Sequence, residues 1–290
     1  MKKSYQSNLI LIFLITILTL YIVNSNIITV GILNYTELFI TKLFPTSFLL
    51  FTFSSLLINY QLIETITNIT KKNSATLYIT IMSMISGFPS GPKYTKELYD
   101  KTYISKETAN YLLTYTHFPN PLFILGPVST LLNITLATKL LLSIIISNFI
   151  TAIFFHKKTP EIALPKNKSL PFSKILNNAI ISSLKTLILI YGTSLFFYLI
   201  SLIINNYISL SPLPYVITNA IFDLTQGIFS TSIISSEILK SILILIFISF
   251  GSLSIHIQIK SILSDTLNYK YFLLGRLIST IIGIITFLIL

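Results

Sequence analysis

Ser86-Gly87-Phe88-Pro89-Ser90-Gly91-Pro92 places two glycines and two prolines within seven positions at the end of an apolar run. Residues of these types interrupt helices. An interruption inside a membrane frees backbone N–H and C=O groups, and a half-helix N-terminus carries about half a positive charge. Such an end can hold an anionic or polar solute without a cationic side chain; a plain kinked loop is the rival reading. A second cluster is Phe222-Asp223-Leu224-Thr225-Gln226-Gly227, in which Asp223 is the only acid between Glu161 and Glu237. An ionisable group within a span costs several kcal/mol unless it is paired or lines a pathway. Asp223 is therefore a candidate for hydrogen bonding a solute or coupling to H⁺ or Na⁺, with an interfacial or helix-capping role as the alternative. The third cluster, Gly251-Ser252-Leu253-Ser254-Ile255-His256-Ile257-Gln258, combines small and hydroxylated residues that permit close packing and hydrogen bonding between helices. His256 could couple protons near neutral pH, or it could be a helix-end histidine near water; His117, close to Pro119-Asn120-Pro121, has the same ambiguity. The candidate solute contacts are Gly87, Pro89, Ser90, Gly91, Asn120, Asp223, Thr225, Gly227, Gly251, Ser252, Ser254 and His256.

Catalysis is not expected. The chain has no phosphate-binding Walker loop, no His-Glu-x-x-His and no Gly-x-Ser-x-Gly. Three scattered histidines without a cysteine argue against a metal site, and no cofactor is implied. An intramembrane enzyme would have to recruit Asp223, Ser252, Ser254 and His256.

These clusters need a scaffold of membrane helices. Charged residues make up 10% of the chain, against roughly 25% in soluble domains. Apolar types reach 53% and mean hydropathy is +0.80. Too few charges remain to cover a soluble surface, so the chain reads as an all-α polytopic membrane protein of about seven to eight transmembrane helices. The net charge of +11 resides largely in lysines between apolar runs, where it orients spans and does not suggest nucleic acid. Arg276 is the only arginine, which fits a lysine-favouring composition.

Asn8 to Val30 predicts a first span or signal anchor, within an N-terminal unit 1–36; the absence of a small-residue cleavage site predicts that it is retained. Leu38 to Leu62 follows, with Lys42 and Pro45 near its start. Asn73 to Ser90 is short, and lysines 71, 72, 93, 96, 101 and 106 flank it on both ends, which predicts a re-entrant hairpin near 75–92. Pro92 fits a first helical turn with Ser90 or Gly91 as cap, and the i,i+4 pairs Lys93–Glu97, Lys96–Asp100 and Glu97–Lys101 predict a surface-lying helix to Lys101. Ser105 reads as the next cap, before Tyr111–Leu132, which Pro119, Pro121 and Pro127 break. Thr135–Phe155 completes a first half, 37–155. A polar linker at 156–174 leads into a second half, 175–290: Ile175–Ile204, an interrupted piece near 212–234, Ile238–Ile255 and Tyr271–Leu290. Each half runs span, short broken hairpin, two further spans. Charge counting opens one hairpin from each side, the pattern of an inverted-topology repeat whose broken segments meet near the midplane.

The ordered motifs Gly87-Phe88-Pro89-Ser90-Gly91-Pro92-Lys93, Glu97-Leu98-Tyr99, Ile104-Ser105-Lys106-Glu107-Thr108-Ala109, Pro121-Leu122-Phe123-Ile124-Leu125-Gly126, Phe222 to Gly227 and Ser249 to Gln258 resemble the YlbJ-like sporulation integral membrane family, from about residue 40 onward. That resemblance implies two gate domains akin to concentrative nucleoside transporters and a role in moving dipicolinate, a small aromatic dicarboxylate, across the outer forespore membrane. The chain departs from the family pattern at His117-Phe118-Pro119-Asn120, at Asp223 in place of a longer acid, and at Gly251-Ser252 in place of Gly-Gly. The expectation is a multi-pass membrane transporter of a small organic anion, foremost dipicolinate. The alternatives are a nucleoside-like solute or a non-transporting scaffold of a sporulation or envelope complex. The partners expected are the solute and the lipid bilayer, with no nucleic acid; homo-oligomerisation stays open.

Overall fold

The computed structural model describes residues 2–70, 74–156 and 171–290. All its regular elements there are helical. Of the expected linker 156–174, residues 157–170 lie outside the described residues, as does the Lys71-Lys72 pair, and from Phe172 the linker is already helical. Many serine and threonine hydroxyls on the helices bond the carbonyl three or four residues back, as Thr138 does to Ile134 O at 2.8 Å. An apolar helix thereby carries them without unsatisfied groups.

The first expected span is two helices, α1 (Lys2–Val23) and α2 (Ser25–Leu38), bent by 92° at Asn24. The bend is a tertiary effect: Asn24 Nδ2 donates to Leu20 O and to the Tyr207 hydroxyl, 183 positions away. Leu9 to Ile15 are exposed on every side of α1, as a lipid-facing helix requires. A π-helical turn, Phe39–Leu43, joins α2 to α3 (Phe44–Asn59). A 58° bend, with Gln61 at φ 61°, leads to α4 (Leu62–Thr70).

The first half continues as α5 (Ala75–Ser86), α6 (Ser90–Asp100), α7 (Lys106–Tyr115), the short α8 (Pro121–Leu125) and α9 (Ile134–Phe154). The second is α10 (Phe172–Tyr207), α11 (Pro212–Phe222), α12 (Leu224–Ser230), α13 (Glu237–Phe250), α14 (Leu253–Leu263) and α15 (Tyr269–Ile289). The order of parts repeats. A long helix, α3 or α10, precedes a hairpin of two short helices, α5/α6 or α11/α12. An interrupted helix, α7/α8 or α13/α14, precedes a closing one, α9 or α15. Four described segments are long and apolar enough to cross a membrane, or up to six if each bent pair is one span. The short broken helices make up the rest.

Two local expectations are corrected. Helix α6 begins at Ser90, so Pro92 lies in its first turn as expected, but the cap position falls to Pro89 and not to Ser90 or Gly91. Nor does α6 lie on the surface: Ser90 to Thr95 are buried, and Lys93 sits 4.3 Å from the centre of the Phe51 ring instead of pairing with Glu97. Only its later face carries the Lys96–Asp100 and Lys101–Glu97 pairs. Ser105 does cap α7, accepting from Thr108 N at 3.1 Å.

The halves interlock. Helix α15 packs on α7 and α9 from the first half and α13 from its own, α14 packs on α6 and α10, and α3 packs on α10. One apolar core runs through both, from Phe51 and Tyr94 to Ile244 and Phe272.

Candidate functional site

Four helix interruptions surround the centre of the molecule. Helix α5 stops at Gly87, whose φ of 75° a side chain would strain. A Cβ there would also lie 2.4 Å from Asn120 N, so the missing side chain lets this break touch the one between α7 and α8. Gly91 does the same one turn on: its Cβ would lie 1.7 Å from Thr116 O. In the second half, α11 and α12 fold together with Gly227 against Ala220 (2.3 Å from a built Cβ to Cα), and α13 ends at Gly251 with φ 94°.

The breaks enclose a cavity of about 320 Å³, within the range of small-molecule sites. Ser86, Phe88 and Pro89 reach it from the first hairpin, and Asn120 from the start of α8. Asp223, Leu224 and Thr225 reach it from the second hairpin, Ile255 and Gln258 from α14, and Ser194 from α10. The π-helical turn contributes Phe39, Thr41 and Lys42.

Asp223 organises one wall. It is 1% exposed and caps α12, its Oδ1 accepting from Gln226 N at 3.1 Å. Its Oδ2 accepts from Ser254 Oγ at 3.3 Å and from the Tyr35 hydroxyl at 3.5 Å. Ser254 is held by Ser252, 2.8 Å between the two Oγ atoms, and Ser252 caps α14. No lysine, arginine or histidine pairs with Asp223 among the described residues. Six other helices here are capped by Ser or Asn side chains: Ser105, Asn120, Asn133, Ser236, Ser252 and Asn268. A neutral cap would cost less than a buried carboxylate at this depth. Capping alone thus does not account for the acid. Nearby, Gln258 Nε2 donates to Ser194 Oγ at 3.1 Å, and its buried Oε1 has no protein partner.

Of the residues singled out in the sequence, Pro89, Asn120, Asp223 and Thr225 line the cavity, and Ser252 and Ser254 stand behind Asp223. Gly87, Gly91 and Gly227 are points of close backbone approach, and Gly251 forms a helix end. Ser90 is buried in α6 with no partner for its hydroxyl. His256 is turned away from the cavity, its Nδ1 2.6 Å from the Tyr269 hydroxyl. Lys42 and Ser194 line the cavity and Tyr35 bonds Asp223, although none of these three stands in the sequence motifs; Ser86, which opens the first motif, and Gln258, which closes the third, also line it. Among the described residues no group of three His, Asp or Glu side chains could hold a metal ion.

No protein-family model matches the chain, and no solved structure matches it. The chain is similar to the sporulation integral membrane protein YlbJ of Bacillus subtilis (strain 168), at 26% identity over 245 residues, 69% of this chain. It spans about 60% of the length of that curated relative. This match supports the YlbJ-like family that the motifs resemble, and with the apolar spans it makes the protein a multi-pass integral membrane protein.

Proposed function

We propose that this YlbJ-like membrane protein is a carrier for a small organic anion, with dipicolinate exported during sporulation as the foremost candidate. The supporting observation is the shared cavity, lined by interrupted helices from both halves. Interrupted helices are costly in lipid unless their free backbone groups line a solute path. The cavity has room for a one-ring solute, and Lys42 supplies a cation at its rim. Phe39, Phe88 and Phe123 offer ring faces, and Asn120, Thr225 and Gln258 offer hydrogen bonds. An anion beside a charged Asp223 would be repelled, so Asp223 would take up a proton as the solute enters, coupling the two movements.

A second reading is favoured by the same residue. A carboxylate amid amides and hydroxyls also suits a neutral, hydrogen-bonding solute of the nucleoside kind. Uptake of labelled dipicolinate and labelled nucleosides into proteoliposomes separates the two. The carrier reading expects saturable uptake of one class, lost in Asp223→Asn and Gly251→Leu. If neither substitution changes uptake, the site is wrong even if transport is real. If no solute is taken up, a non-transporting scaffold in a sporulation complex becomes the better account.

A further inference from the structure

Arg276, on α15, is the largest fully buried side chain in the described residues, at 0% exposure. It makes no ion pair with a carboxylate there. Three of its four acceptors are carbonyls at or just past the ends of other helices, and the fourth is a side-chain amide: Nη2 donates to Thr114 O and to Asn148 Oδ1, both at 2.9 Å, and Nη1 to His117 O and Ser249 O, both at 3.4 Å. Thr114 lies in the last turn of α7, His117 in the break after it, and Ser249 in the last turn of α13. Helix C-termini carry partial negative charge and unpaired carbonyls, so two of them pointed at one guanidinium offset its charge without an acid. Asn148 closes the network by donating to His117 O at 3.1 Å while accepting from Ser279 Oγ at 3.2 Å. Gly275, the neighbour of Arg276, brings α15 against α7: a Cβ there would meet Thr114 O at 2.0 Å.

We propose that Arg276 is a positioning residue that ties the interrupted helices α7/α8 and α13/α14 of the two halves into one body behind the cavity. The planar fork explains the residue type. An ammonium is a point charge and cannot span four acceptors on three elements, and in a chain whose other basic residues are all lysine this one position carries arginine.

The test needs no transport assay, so failure of the carrier reading leaves it intact. The full chain has no cysteine, and Ser249→Cys places a single thiol at a fully buried position beside the network. In liposomes, N-ethylmaleimide should label this thiol slowly. With Arg276→Gln or Arg276→Lys added, labelling should rise at least about tenfold, the factor for one lost charge-assisted bond. Unchanged labelling in both, or full restoration by lysine, would overturn the proposal, the latter because charge alone would then suffice. Should neither variant be recovered in membranes, Asn148→Leu withdraws one acceptor and leaves the guanidinium; labelling about tenfold faster is expected, again the factor for one charge-assisted bond, and unchanged labelling overturns the proposal.

Discussion

Asp223 caps α12, and the proposed carrier gives it a second role that a substitution can separate from the first. Asparagine caps a helix as well as aspartate does, so Asp223→Asn should change thermal stability in detergent by less than about 1 kcal/mol. Solute uptake should nonetheless fall at least about tenfold if the acid takes part in recognition or coupling. Ser254→Ala, which withdraws one donor from the carboxylate, should cost about 1 kcal/mol by the same melt. Asp223 was legible in the sequence because a lone acid in an apolar stretch has few physical explanations. Ser194 and Tyr35 were not, since a serine in a long apolar helix and a tyrosine in an aromatic-rich chain look ordinary. Their significance comes from where α10 and α2 place them, 0.5 to 1 turn of helix being enough to move either out of reach. His256, for which the sequence leaves proton coupling and a plain helix-end role both open, turns its Nδ1 to the Tyr269 hydroxyl.

Among the elements, the breaks themselves were readable and their surroundings were not. Glycine and proline mark the ends of α5 and α13 in the sequence. What the sequence does not show is that the two glycines differ. Both have positive φ, but a Cβ at Gly251 would make only ordinary contacts, with Ile255 Cγ2 the nearest atom at 3.4 Å, whereas one at Gly87 would lie 2.4 Å from Asn120 N. Gly251→Ala should therefore cost only the penalty of a positive φ with extended ψ, about 1–3 kcal/mol. Gly87→Ala should cost that plus roughly 1–3 kcal/mol of overpacking, a difference readable by thermal melts in one detergent. Helix α6 reads as surface-lying in the sequence because of its i,i+4 charges, but the pairs that form, Lys96–Asp100 and Lys101–Glu97, lie in its second half, while its first, Ser90 to Thr95, is buried on every side. The α1–α2 bend was illegible for a related reason, since Asn24 acts through Tyr207.

For the whole molecule, the order of parts in the two halves follows from apolar run lengths and breakers, and the structure repeats that order. How the halves interlock could not be read, because periodicity says which face is apolar but not which helix covers it. The interlocking places Ser86 from the first hairpin and Thr225 from the second on one cavity. Since the chain lacks cysteine, single thiols at Ser86→Cys and Thr225→Cys can each be labelled in proteoliposomes with and without solute. A shared solute site predicts that dipicolinate, or a nucleoside on the second reading, slows labelling at both positions with the same half-maximal concentration. Protection at one position alone, or at neither with any solute of these classes, would contradict it.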